Sequence, residues 1–296
     1  MILTLGDSVC WGQGLLEEHK FDSIVANKKH LPLQRAAHSG AVIGTPNDSS
    51  TEVEPGEVPV GPPSVWQQMK AQSDWSQVEL VLLNGGINDV SLTRILNPLT
   101  SKALLTQLVD QFCNQAMHGL LVATANKLTV QNARIAVVGY YPIFSNESDP
   151  ADVEFRAMLE LHGLATTSVF ATDPFSIDHL IPKVVENCIT FWQQSNLALQ
   201  AAVDATNTTL GKRVCTFVKL PFTEANALWA KQSLLWELTP LLMAEDEVVG
   251  SRGQACEAVF GDLIHLPKLL QCQRASVGHP KVQGAATIAD AVAAVV

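Results

Sequence analysis

Ile2-Leu3-Thr4-Leu5-Gly6-Asp7-Ser8-Val9-Cys10-Trp11-Gly12-Gln13-Gly14 starts as an apolar run, breaks at Gly6 and delivers Asp7 and Ser8 into a glycine-rich turn. Ile2, Leu3 and Leu5 suit a buried parallel strand, and Gly6, Gly12 and Gly14 permit the sharp turn and close backbone approach that follow. The end of such a strand is where an open α/β sheet binds ligands. Three other turn patterns fit poorly. A P-loop would close on Gly-Lys-Ser/Thr, which is missing; a dinucleotide fingerprint needs a third glycine, but position 17 is Glu17; a nucleophile elbow needs glycine on both sides of the serine. Alone, Gly6-Asp7-Ser8 is a turn.

Outward from that turn, strands and helices alternate. Leu15–Lys29 reads as a first helix whose start would aim a helix N-terminus near Ser8, favourable for developing negative charge. Leu33–Val42 reads as a short strand of small residues ending near Gly40, and Thr45–Pro63 as a surface loop. Ser64–Gln72 reads as a helix capped by Ser64. In Val78-Glu79-Leu80-Val81-Leu82-Leu83-Asn84-Gly85-Gly86-Ile87-Asn88-Asp89 a strand, apolar after Glu79, runs into another glycine turn. A long helix is expected over Thr100–Leu128, a fourth strand over Arg134–Ile143, a helix over Lys183–Val203 and a fifth strand over Arg213–Leu220. This rhythm argues for a parallel sheet covered on both faces. Irregular stretches at about 145–182 and 223–272 read as insertions that form a lid or acyl-binding wall, or else as further core. With these insertions included, 1–296 reads as one domain.

Composition narrows the function. The net charge is −10 with 19 Lys and Arg, and the one dense basic cluster is Lys28-Lys29-His30, so a nucleic-acid partner is not expected. No apolar run reaches membrane-spanning length. Met1 leads straight into the first strand, so a cytoplasmic location is the default expectation and secretion the alternative if the chain is a trimmed mature form. The six cysteines include no Cys-x-x-Cys pair, and the eight histidines no His-Glu-x-x-His, so neither a metal nor another cofactor is expected. Cys256 and Cys272 are close enough in sequence for one disulfide.

Gly6-Asp7-Ser8, Gly40, Gly86-Ile87-Asn88-Asp89 and Gly278-His279-Pro280, in that order and across nearly the whole chain, resemble the four blocks of the SGNH/GDSL hydrolase family. The resemblance implies a flavodoxin-like three-layer α/β/α sandwich with a five-stranded parallel sheet. It also implies ester hydrolysis through an acyl-enzyme on Ser8, with His279 as general base. The Ser8 and Gly40 N–H groups and the Asn88 amide would form the oxyanion hole. The expected partner is a small-molecule ester, an acyl or lipid ester foremost. A carbohydrate O-acetyl esterase and a catalytically silent interaction domain are the alternatives.

One position departs from the family. The acid that orients the histidine usually lies three residues before it, where this chain has Ser276. The Ser276 carbonyl or its hydroxyl is then expected to hold the imidazole. Asp262-Leu263-Ile264-His265 has the missing spacing, but the expected closing helix follows His279 and not His265. Asp7 and Asp89 are expected to hold turns, His38 to be structural, and Cys10 and Trp11 to pack beneath the serine turn.

Overall fold

The computed structural model describes residues 1–49, 61–162, 177–239, 243–261 and 265–296. Five parallel strands form one sheet in the order β2-β1-β3-β4-β5. They are β1 (Ile2–Leu5), β2 (Leu33–Arg35), β3 (Leu80–Leu83), β4 (Arg134–Val138) and β5 (Cys215–Val218). Every residue of β1 and β3 is buried, which explains sequences that are apolar throughout except for Thr4. The order matches a flavodoxin-like arrangement, in which the chain reverses direction across the sheet between β1 and β3. The register Ile2↔Leu80 to Leu5↔Leu83 ends both strands at the same level, so the turns after Leu5 and Leu83 open side by side.

The helices are α1 (Ser8–Trp11), α2 (Phe21–Lys29), α3 (Val65–Ala71), α4 (Ile87–Val90), α5 (Leu92–Leu96), α6 (Lys102–Val109), α7 (Met117–Ala125), α8 (Asp152–Leu161), α9 (Ile177–Leu210), α10 (Val249–Phe260), α11 (Leu266–Gln273) and α12 (Val282–Ala293). With the right-handed crossovers that parallel strands take, this strand order places α2 on one face of the sheet and α3, α6–α7 and α9 on the other. The closing helix α12 packs on α2, and α9 packs along α6 and α7. Among the described residues no helix is long and apolar enough to cross a membrane.

Several elements differ from expectation. The stretch Leu15–Lys29 is broken: Lys20 is extended, its ammonium 4.3 Å from the Trp11 ring centroid, and the regular helix starts at Phe21. The helix that begins at Ser8 is instead the four-residue α1. Strand β2 stops at Arg35 because the amides of Ala36 and Ala37 converge on the single Thr4 carbonyl, at 2.8 and 3.0 Å, which ends the ladder. The long helix runs from Lys102 to Ala125 through a π-helical stretch at Asp110–Ala116. Helix α9 extends from Ile177 to Leu210, well beyond Lys183–Val203 at both ends, and contains Pro182.

The second irregular stretch holds α10 and α11, clasped by a Cys256–Cys272 disulfide. Parts of the expected loop and insertions, at 50–60, 163–176, 240–242 and 262–264, lie outside the described residues. Ser64 caps α3 as anticipated, in a reciprocal capping box with Gln67.

Candidate functional site

The serine turn is built by residues that clamp a strained backbone. Gly6 has φ +141°, and a Cβ there would stand 2.4 Å from Asn84 Oδ1, so only glycine fits. Gln68, on α3, brackets Gly6: its Oε1 accepts the Gly6 amide at 2.8 Å, and its Nε2 donates to the Gly6 carbonyl at 3.0 Å. Asp7 then caps α1, accepting the Val9 amide at 2.9 Å, and the Tyr140 hydroxyl donates to its other oxygen at 2.7 Å. Burial raises the Asp7 carboxyl above its usual range, against the hydrogen bonds from Val9 and Tyr140. Ser8 therefore sits at the first position of a capped turn with its hydroxyl facing a cleft.

His279 arrives from the loop before α12. Its Nε2 lies 2.7 Å from Ser8 Oγ, and its Nδ1 lies 3.2 Å from the Ser276 carbonyl oxygen. That carbonyl also accepts the His279 backbone amide at 2.9 Å. A carbonyl can only accept, so Nδ1 carries the proton and Nε2 is left to accept one from Ser8. The loop is fixed by Trp236, whose carbonyl takes the Gly278 amide at 2.9 Å and whose amide donates to the His279 carbonyl at 2.8 Å. Gly278 adopts φ +83°, a left-handed conformation that favours glycine.

Burial pushes the His279 imidazole down to about 4, against the Ser276 hydrogen bond and with the Arg252 charge adding to the drop. It is therefore neutral near pH 7 and able to take a proton.

Asn88 lies on α4, after Gly86. A Cβ at Gly86 would meet Cys113 Sγ at 2.6 Å, which places the π-helical stretch directly beneath this turn. The Asn88 amide donates to the Ala41 carbonyl at 2.9 Å, and both Asp89 oxygens accept the Ile43 amide, at 2.9 and 3.1 Å. These bonds tie the loop that carries Gly40 to the Asn88 turn, and Gly40 itself has φ +80°. Burial raises the Asp89 carboxyl to about 6. Ser8, Gly40, Asn88 and His279 all line one cleft of about 370 Å³, whose apolar wall includes Leu92, Ile143, Met158 and Val277.

Of the two groups expected to hold the histidine, the Ser276 carbonyl faces Nδ1. The Ser276 hydroxyl donates elsewhere, to Asp246 Oδ2 at 2.6 Å. His265 lies at the start of α11, with its ring 6.4 Å from that of Phe260, and the histidine on Ser8 is His279; Asp262 is outside the described residues. His38 is buried, its Nδ1 2.9 Å from the Ser39 carbonyl oxygen and its ring 5.5 Å from that of Trp11. Cys10 is fully buried below the turn. Among the described residues no group of three or more His, Cys, Asp or Glu side chains could hold a metal ion.

Sequence reasoning missed Gln68, Tyr140, Asp246 and Arg252. Tyr140 had a usable signal, since it follows Gly139 at the end of β4, beside the strands that carry the site. Asp246 and Arg252 had none: each reads as an ordinary surface charge in an irregular stretch. No protein-family model matches the chain, and comparison with curated proteins finds no match.

Proposed function

We propose that this protein is a serine hydrolase of the SGNH/GDSL type that cleaves carboxylic esters. The observation that carries the reading is the 2.7 Å contact between His279 Nε2 and Ser8 Oγ, with the opposite ring nitrogen on a carbonyl. That is the arrangement a general base needs to activate a hydroxyl.

In the first step the Ser8 Oγ bonds to the ester carbonyl carbon, and its proton passes to His279 Nε2. The negative charge that develops on the former carbonyl oxygen is met by the Ser8 and Gly40 amides and by the Asn88 side chain. Collapse expels the alcohol, which takes the proton back from His279 and leaves an acyl group on Ser8. Water, deprotonated by the same nitrogen, then releases the acid. The Ser276 carbonyl fixes the tautomer throughout, but as a neutral acceptor it stabilises the transient imidazolium less than a carboxylate would.

The apolar wall of Leu92, Ile143, Met158 and Val277 supports an acyl chain as the group bound beside Ser8. Labelling with a fluorophosphonate probe, followed by mapping of the modified peptide, tests the chemistry. The expected result is modification at Ser8, absent in Ser8→Ala, with turnover of a panel of acetyl, butyryl, long-acyl and acetylated-sugar esters lost in the same variant. An unlabelled Ser8 in the folded protein overturns the reading.

A further inference from the structure

We propose that Asp246 is the positioning residue for His279, acting through the Ser276 hydroxyl and braced by Arg252. The inference deepens the hydrolase reading and rests on it for its catalytic consequence, but not for its structural one. Ser276 is fully buried and has one hydroxyl proton, which it donates to Asp246 Oδ2 at 2.6 Å. Its side chain is thereby fixed, and with it the direction of the carbonyl that accepts from His279 Nδ1.

Asp246 is held in turn. Arg252 Nη1 donates to Asp246 Oδ1 at 2.8 Å, and Nη2 to Oδ2, while Nε and Nη2 also reach the Gln273 carbonyl at 3.3 and 3.2 Å. A single buried guanidinium therefore ties the carboxylate to the chain just upstream of Ser276.

The same segment is stitched to the nucleophile's side of the site. Gly14, in the turn after Ser8, packs so closely that a Cβ there would lie 2.8 Å from Ser276 Cβ and 3.2 Å from Asp246 Cβ. The Glu247 amide donates to the Gly14 carbonyl at 3.1 Å, and Glu247 Oε2 accepts the Leu16 amide at 3.0 Å. Asp246 thus sets the histidine's loop against the serine's loop.

Arg252 balances its charge, and of this pair it is the guanidinium that acts on the imidazole, in the lowering direction. The role is orientation, in contrast to a carboxylate bonded directly to the ring. The acid thus reaches the histidine indirectly, with Ser276 as the intermediary.

Two variants separate this role from general packing. Ser276→Ala removes the hydroxyl and keeps the carbonyl; Asp246→Asn keeps the shape and removes the charge. The tautomer of His279 is read at neutral pH by NMR of the protein labelled with ¹⁵N-histidine, with His279→Gln for assignment. In the wild type His279 should be a single Nδ1–H tautomer, and in both variants a mixture. Ester kcat should fall about tenfold in each while KM stays within about twofold, the scale of one lost orienting hydrogen bond.

The tautomer measurement needs no turnover, so an inert wild type would count against the hydrolase reading and leave this one to be decided by the spectrum. A single wild-type-like tautomer in folded Ser276→Ala overturns the proposal. So does an effect of Asp246→Asn that Ser276→Ala does not share, or a mixed tautomer with unchanged kcat.

Discussion

The hydroxyl of Tyr140 donates to Asp7 Oδ2 at 2.7 Å and accepts the Ile87 amide at 3.1 Å, bridging the turn that carries Ser8 to the one that carries Asn88. Both turns follow neighbouring strands, and Tyr140 follows the next strand along, so three strand ends meet at one buried phenol. Tyr140→Phe removes that oxygen without changing the ring. It should destabilise the fold by about 1–3 kcal/mol, because the Ile87 amide and a buried Asp7 oxygen lose a partner. Ester turnover should fall with it, since the two turns lose their common anchor. Denaturant unfolding paired with kcat measurement checks both effects; unchanged stability would show that the bridge holds nothing.

Asn88 offers a sharper separation of binding from catalysis. Its amide carries two hydrogens, of which one goes to the Ala41 carbonyl. If the other meets the oxyanion, Asn88→Ala should lower kcat about a hundred- to a thousand-fold. The lost Ala41 bond should cost about 1 kcal/mol of stability. KM for a short-chain ester should change little, because the interaction forms only as charge develops. Steady-state kinetics decides this, and a rise in KM at constant kcat would move Asn88 out of the oxyanion hole and into ground-state binding.

The legible parts of the molecule were those governed by local rules. Ile2–Leu5 and Leu80–Leu83 announced themselves as strands because both faces are buried, which leaves Thr4 as the one polar residue in either run. Ser8, Gly40, Asn88 and His279 were legible only together, through the order in which their four blocks resemble those of the SGNH/GDSL family. The structure brings all four to one cleft.

Breaks within elements were harder to read. Lys20 leaves the helical path for a contact with Trp11 that no spacing rule encodes, and β2 ends where two amides share one carbonyl. The group behind Ser276 was out of reach for a different reason. Asp246 lies 30 residues upstream of Ser276, in a stretch without periodicity, and only tertiary packing pairs it with Arg252.

The Cys256–Cys272 disulfide closes a 16-residue separation between α10 and α11, and each helix leads to the histidine's support: Arg252 lies on α10, and Gln273, whose carbonyl Arg252 binds, ends α11. A loop of this size contributes roughly 3 kcal/mol by restricting the unfolded chain. The Cys256→Ser/Cys272→Ser variant should lose about that much in denaturant titration. Its ester turnover should drop as the Gln273–Ser276 backbone loosens. The four other cysteines, Cys10, Cys113, Cys188 and Cys215, are buried thiols, so a thiol reagent should leave the native wild type unmodified. Equal turnover in wild type and variant would mean that Arg252 alone holds the segment.

The pH response follows from the half-buried histidine. Burial holds the His279 imidazole at about 4, against an ordinary 6.5, so its neutral, proton-accepting form persists well into acid. The acid limb of kcat/KM should therefore fall near pH 4.

Stability has the matching sign. Between those two values the unfolded chain binds more protons than the folded one, so the contribution of a buried neutral His279 is fully present above about 6.5 and is lost as pH falls through about 4. His162, which also lines the cleft and is also pushed down to about 4 by burial, acts in the same direction. Asp89 opposes them: its carboxyl is raised from 3.8 to about 6, so its contribution is full below 3.8 and disappears as pH rises through about 6. Unfolding must therefore be followed alongside kinetics, so that loss of folded protein is not mistaken for titration of His279. In protein that remains folded, a kcat/KM limb near 6.5 would mean that His279 is more solvated in solution than the cleft allows.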